Sequence, residues 1–285
     1  MAPAGSFDRP SFEAGLKLLA HRYQPVYDEG IFDTDRYLAG SDARRLAELA
    51  AALGDPRLRG VFCARGGYGV MRLLPRISFG AISPKPVVGF SDITALHLSL
   101  QAAGWVSFHG PVLTQLGRQS KEVAERLFQV LESTELAPPL AGATTLVPGE
   151  AEGPLLGGNL SVLTRLLGTP YLPSLKGAVL MLEDVAERPY RLDRMWTHLG
   201  LAGVFRQVVG IALGEFAGCE EKDASYTSAD VLRSLAEETG LPCAAGFPVG
   251  HGEKNMTVPL GVRVRLDATR GRLEFLEPAT MPQSA

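Results

Sequence analysis

A chain of 285 residues, 46 % hydrophobic and 21 % charged, has the balance of a soluble globular protein long enough for one large or two ordinary domains. A net charge of −3, with no Lys/Arg run longer than Arg44-Arg45, leaves no electrostatic footprint for nucleic acid or an anionic membrane. No stretch approaches the roughly 20 apolar residues that span a bilayer, and the opening MAPAGSFDRP lacks a charged-then-apolar signal, so a cytoplasmic protein is expected.

Apolar residues recur at near-helical spacing through Leu19, and SDARRLAELAAALGDP is a clearer helix, capped by Ser41 and stopped by Gly54 and Pro56. A short strand, Val61-Phe62-Cys63-Ala64, ends in Arg65-Gly66-Gly67-Tyr68-Gly69, after which VMRLLPRI returns to helical spacing. PKPVVGFSDITALHL then reads as strand, tight turn and helix, the helix running to about Ala103. A further strand at Trp105-Val106-Ser107-Phe108 leads into His109-Gly110-Pro111. Strands that alternate with helices predict a parallel sheet covered on both faces.

Residues 136–153, LAPPLAGATTLVPGEAEG, lose periodicity and gather Pro, Gly, Ala and Thr, the composition of a linker. The expected fold is therefore α/β: an amino-terminal parallel-sheet domain with flanking helices over 1–135, then a second, carboxy-terminal α/β domain over 154–285. In that second part Gly177 to Leu182 reads as a buried strand ending in Glu183-Asp184, and Pro189 starts a helix. Val208 to Phe216 reads as a strand and Ser228 to Gly240 as a helix with Ser228 as its cap. The alternation of VPLGVRVRLDATRGRLEFLEP fits a two-stranded antiparallel ending.

Chemistry concentrates where strands end, since ligands of open α/β sheets bind there. Ser91 follows Gly89 and Phe90 at such an end, a place that holds a nucleophilic hydroxyl at the sheet edge with helix N–H groups behind it. Helix capping by Ser91 and Asp92 is the other reading of the same residues, and Ile93 stands where a full Gly-x-Ser-x-Gly elbow has its second glycine. Glu183 closes an apolar strand, where it can orient a histidine or be solvated. His251, between Gly250 and Gly252, can be a base that reaches across from a loop or a surface residue. The glycine-rich RGGYG lacks a phosphate-loop pattern and can offer backbone N–H groups to an oxyanion. His109 is placed to border a substrate, whereas His21, His97 and His198 read as structural. Cys63, Cys219 and Cys243, odd in number and far apart, suggest neither a disulfide framework nor a zinc site and read as small core residues.

Together RGGYGVMRLLP (65–75), GFSDITALH (89–97), HGP (109–111), GGNLSVL (157–163), LEDVAERPYRLDRM (182–195) and GHGEKNMTVPLG (250–261) resemble the LD-carboxypeptidase family of serine peptidases. That family includes muramoyl-tetrapeptide carboxypeptidases and microcin C immunity proteins. The resemblance implies Ser91 as nucleophile, Glu183 as acid and His251 as base, with the serine on one domain and the Glu–His pair on the other. It implies cleavage of the L,D-peptide bond to the terminal D-alanine of cytoplasmic murein tetrapeptides, a cell-wall recycling step, with no metal or cofactor and a homodimeric assembly. The N–H groups of Gly67 and Asp92 are the candidate oxyanion donors, and Arg65 the candidate partner of the substrate carboxylate.

The family's other branch hydrolyses aminoacyl-nucleotides; a non-catalytic cell-wall-peptide binder and a general esterase are the competing classes. Family members usually begin with a strand leading into an APSG-like turn, whereas here APAG starts at residue 2. The expectation is either a start site placed late or a sheet one strand short with an exposed edge, and lower stability than a form extended by an apolar strand.

Overall fold

The computed structural model describes residues 1–80, 82–142 and 144–280. Helix α1 (Arg9–Leu19) opens on Asp8, whose carboxylate accepts the Ser11 N–H, and α2 (Asp42–Gly54) on Ser41, whose hydroxyl accepts the Arg44 N–H. Both use a side-chain oxygen to satisfy a free N–H of the first turn. Strand β1 (Val61–Phe62) follows, then two short 3₁₀ turns, Val70–Arg72 and Leu74–Arg76, where the periodicity of VMRLLPRI predicts a helix. Pro75 has no N–H to give a continuing helix, so the segment breaks into two pieces. Strand β2 (Val87–Gly89), helix α3 (Thr94–Ala102) and strand β3 (Ser107–His109) come next, followed by α4 (Leu113–Leu116) and α5 (Lys121–Glu132).

The stretch expected to be a linker instead holds β4 (Leu140–Ala141), β5 (Thr144–Val147) and the start of β6 (Glu150–Asn159). Helix α6 (Leu160–Arg165), β7 (Val179–Val185), α7 (Pro189–Leu201), β8 (Gly210–Ala217) and α8 (Ser228–Thr239) continue the alternation. The cap of α8 is Thr227 rather than Ser228: Thr227 and Asp230 form a reciprocal capping box, and Ser228 is the first helical residue. Strands β9 (Cys243–Ala245), β10 (Val258–Leu260), β11 (Arg263–Asp267) and β12 (Arg272–Phe275) complete the described elements.

The strands form two sheets. The first has the order β1-β2-β3-β10, parallel through β3, with β10 antiparallel at the edge. The second has the order β4-β12-β11-β6-β7-β8-β9-β5, parallel in its middle from β6 to β9 and antiparallel at both flanks. The expected antiparallel ending is β11 with β12, whereas β10, read as part of it, crosses to the first sheet and pairs Val258 with His109. Pro259 is tolerated there because β10 is an edge strand.

This crossing stitches the halves together. Each of the two apolar clusters draws on both: Val61, Leu96, Leu156 and Leu180 in one, Val88, Phe108, Leu155 and Val258 in the other. Residues on both sheets therefore lose their apolar surface to shared cores, at roughly 25 cal/mol per Å² buried. On the outer side of β1 the Met1 amino group donates to the Phe62 carbonyl and the Ala64 N–H to the Met1 carbonyl, so Met1 takes up edge positions of that strand.

Candidate active site

The turn after β2 argues against a capping role for Ser91. The residue preceding the turn's 3₁₀ helix is Phe90, no side chain caps either that helix or α3, and Ser91 itself has φ +63°. A non-glycine residue in the left-handed region costs of order 1 kcal/mol or more and persists only where the surroundings impose it. A capping serine has extended backbone and a bonded hydroxyl; this one has neither, and among the described residues no hydrogen bond engages its hydroxyl. It is a strained elbow that holds a half-buried hydroxyl at the end of β2.

Glycines around the elbow make the strain possible. An alanine Cβ at Gly66 would lie 2.8 Å from Ser91 Cβ, and one at Gly89 would lie 2.9 Å from Ile93 Cγ1. Ile93, which occupies the place of an elbow glycine, is thus accommodated by Gly89 on the strand. The Gly89 carbonyl is clasped by the Gly110 N–H at 3.1 Å and by His97 Nε2 at 2.8 Å, which fixes the strand end just before the turn. Burial holds His97 neutral, pushing its pKa down to about 4, so it is a donor and not a base, as its sequence context suggested.

Gly67 has φ +98° and sits beside the elbow through Gly66. Among the described residues, neither its N–H nor that of Asp92 donates to a backbone or side-chain acceptor. An N–H on the residue after Ser91 and another on the residue after Gly66 are thus without a protein acceptor, and such groups can serve an oxyanion.

Glu183 and His251 meet from different elements. Glu183 lies within β7, fully buried, and His251 Nδ1 is 2.7 Å from its Oε2. The carboxylate accepts the Nδ1 proton, which leaves Nε2 as the free lone pair of the ring. The approach depends on Gly250, at φ +116°, where a Cβ would stand 2.6 Å from Glu183 Oε2. The Gly250 N–H donates to Asn255 Oδ1 at 3.0 Å, and Asn255 Nδ2 donates to Gln115 Oε1 at 3.2 Å, tying the histidine loop to the first half of the chain.

The pair reaches the turn that carries the serine. The Phe90 ring, one residue before Ser91, packs on the His251 ring with centroids 4.6 Å apart. On the other side of the turn, the Asn159 N–H donates to Thr94 Oγ1 at 2.9 Å, joining the end of β6 to the start of α3. Asp184, next to Glu183, is occupied differently: it accepts from Asn159 Nδ2 at 3.0 Å and from the Ser161 N–H at 2.9 Å, and burial raises its pKa to about 6. Phe90, Asn159 and Asn255 escape the reading of the sequence because an aromatic before a turn, an asparagine at a strand end and one in a loop announce no partner.

Two other candidates separate. Arg65 is exposed, donates to the Ser6 carbonyl, and pairs with no carboxylate among the described residues, so its charge remains available to a ligand. His109 is fully buried, 5.8 Å from Phe90 and 6.5 Å from His97 between ring centroids, and burial holds its pKa well below the usual range. It packs between β3 and α3 with no exposed surface, where the reading of the sequence expects it to border the substrate. The three cysteines are buried and free, with burial raising their thiols to about 12, 11 and 12, far from thiolate chemistry at neutral pH. Among the described residues no group of His, Cys, Asp and Glu is arranged to hold a metal ion, and no helix is long and apolar enough to cross a membrane.

A strained serine on an α/β scaffold, next to unpaired N–H groups and a carboxylate-bound imidazole, has the construction of the serine hydrolase class. Residues 1–110 match the LD-carboxypeptidase N-terminal domain and residues 152–266 the LD-carboxypeptidase C-terminal domain. A murein tetrapeptide carboxypeptidase of Pseudomonas aeruginosa is 34 % identical over 289 residues, covering 95 % of this chain and 93 % of the relative. The crystal structure of muramoyltetrapeptide carboxypeptidase from Oxalobacter formigenes superposes with a TM-score of 0.85 at 28 % identity, covering 96 % of this chain and 97 % of that one. The same fold, at a TM-score of 0.88 and 22 % identity over 99 % of this chain and 96 % of the other, occurs in the microcin C7 self-immunity protein MccF. The chain belongs to the LD-carboxypeptidase family of serine peptidases.

Proposed function

We propose that the protein removes the terminal D-alanine from murein tetrapeptides by hydrolysing the L,D-peptide bond, with Ser91, His251 and Glu183 acting as one catalytic unit. The observation that carries this reading is the buried Glu183 Oε2 bonded at 2.7 Å to His251 Nδ1, with Phe90 linking that ring to the serine elbow. His251 Nε2 takes the Ser91 proton as Oγ attacks the scissile carbonyl, and the tetrahedral oxyanion is received by the Gly67 and Asp92 N–H groups. Nε2 then delivers the proton to the departing amine of D-alanine. Water, activated by the same nitrogen, attacks the acyl-enzyme and restores the serine hydroxyl. Glu183 keeps the imidazole in the required tautomer and stabilises its positive charge, remaining ionised itself. Arg65, exposed and without a carboxylate partner, is suited to the substrate's terminal carboxylate.

Mass spectrometry of a murein tetrapeptide incubated with the protein, and in parallel with Ser91→Ala, tests this. Loss of the terminal D-alanine alone, absent from the variant, is the expected outcome. An intact tetrapeptide after incubation with folded wild-type protein contradicts the proposed substrate, and an aminoacyl-nucleotide is the next compound to try.

A further inference from the structure

One buried acid close to the reaction has no part in the proton transfers. Asp92 follows the serine, is 2 % exposed, and its Oδ2 accepts the Val70 N–H at 2.9 Å. The carbonyl of the same peptide unit, that of Gly69, accepts a hydrogen bond of 2.9 Å from Arg45 Nη1. Arg45 is fully buried and held in turn by the Pro3 carbonyl and by Asp42. The Gly69–Val70 peptide is thus gripped at both ends, its N–H by the residue after the nucleophile and its C=O by an immobilised guanidinium.

The position of that peptide matters because Gly67 lies two residues earlier, in a stretch of unusual backbone. Gly67 and Gly69 have φ +98° and +140°, and a Cβ at Gly69 would stand 2.6 Å from Arg45 Nη1. The loop carries few bonds of its own that would fix Gly67; the Gly66 carbonyl accepts from the Gly5 N–H at 2.9 Å, and the next anchor along the chain is the clamped peptide. One oxyanion donor belongs to Asp92 itself and the other to a loop that the Asp92 side chain holds.

Resting on the serine-hydrolase reading above, we propose that the Asp92 carboxylate is a positioning residue that sets the spacing of the two oxyanion donors through the Gly69–Val70 peptide. A burial that raises its pKa to about 6 is consistent with a carboxylate kept for its acceptor geometry at a site where solvent would otherwise be preferred. Losing the clamp leaves the Val70 N–H unpaired in the interior and lets Gly67 move, which weakens stabilisation of the tetrahedral species and not the binding of ground-state substrate.

The test needs no knowledge of the natural substrate. A fluorophosphonate labels an activated serine through a tetrahedral phosphorus, and p-nitrophenyl acetate reports acyl transfer through kcat and KM. For Asp92→Ala, labelling of Ser91 slows by about 10- to 100-fold, and kcat for the ester falls while KM changes less than twofold. Asp92→Asn keeps an acceptor for the Val70 N–H and restores labelling to within about tenfold of wild type, a rescue expected of a positioning acceptor. Both are read well below each variant's melting midpoint. Should Asp92→Ala not fold, the isosteric Asp92→Asn decides: a several-fold slower labelling with unchanged KM supports the inference. Where Asp92→Ala folds, its labelling at the wild-type rate overturns the inference; where only Asp92→Asn folds, labelling of that variant at the wild-type rate does, and in either case so does a rise in KM with kcat preserved. Wild-type protein that is not labelled at Ser91 overturns the serine reading itself, and this inference with it.

Discussion

The serine elbow and the Glu–His pair are positioned by opposite means. Ser91 is set by backbone within a few residues: a strand end clasped at Gly89, a positive φ, and glycines at 66 and 89 that leave room for it. His251 is set by distant partners, with Glu183 from β7 below it, Phe90 from the other sheet against its ring, and Asn255 and Gln115 holding its loop. Strain is stored at the serine, and side-chain hydrogen bonds hold the histidine. A mutation at the elbow therefore acts on geometry in place, whereas a mutation around the histidine acts by releasing a tether.

The largest effect expected is that of Ser91→Ala, which should lower D-alanine release by about 10⁴-fold or more while leaving the fold intact, read by mass spectrometry and circular dichroism. Glu183→Gln keeps the shape but removes the charge that orients the imidazole, and a loss of roughly 10³- to 10⁴-fold in kcat is predicted from kinetics on the same peptide. Gly250→Ala sharpens the contrast between the two regions. It places a methyl 2.6 Å from Glu183 Oε2 at a φ of +116°, so kcat should fall by about 10- to 100-fold and the melting midpoint should drop as well. Thr227→Ala, which removes the capping box of α8 far from either region, should cost about 1 kcal/mol of stability in chemical denaturation and leave kcat unchanged.

The difference between the regions also governs what the sequence made legible. The elbow is local, so a proline break, two valines and Gly-Phe-Ser before a helix are enough to place Ser91, although the positive φ that argues against a cap is not legible there. Helices α2 and α7 were similarly announced by Ser41 and Pro189. The meeting of Glu183 with His251 spans 68 positions and has no local signature. Only the resemblance to a family joined them. Strands β4 and β5 were missed because they are short flanking strands with little buried face, defined by partners near residues 272 and 244 rather than by their own periodicity. β10 was assigned to the wrong partner for the same reason, since alternation shows that a strand exists and not which strand it joins. The burial of His109 is not legible from its position, because the end of a strand has two faces and its ring takes the inner one.

That the two regions form one catalytic unit is the central claim, and a mutant cycle on D-alanine release tests it most directly. Ser91→Ala, His251→Ala and the double variant are compared on the same tetrapeptide. If serine and histidine act together, the double variant is no slower than the worse single one, because the first substitution already disables the unit. Losses that multiply in the double variant would show two independent contributions and contradict the account.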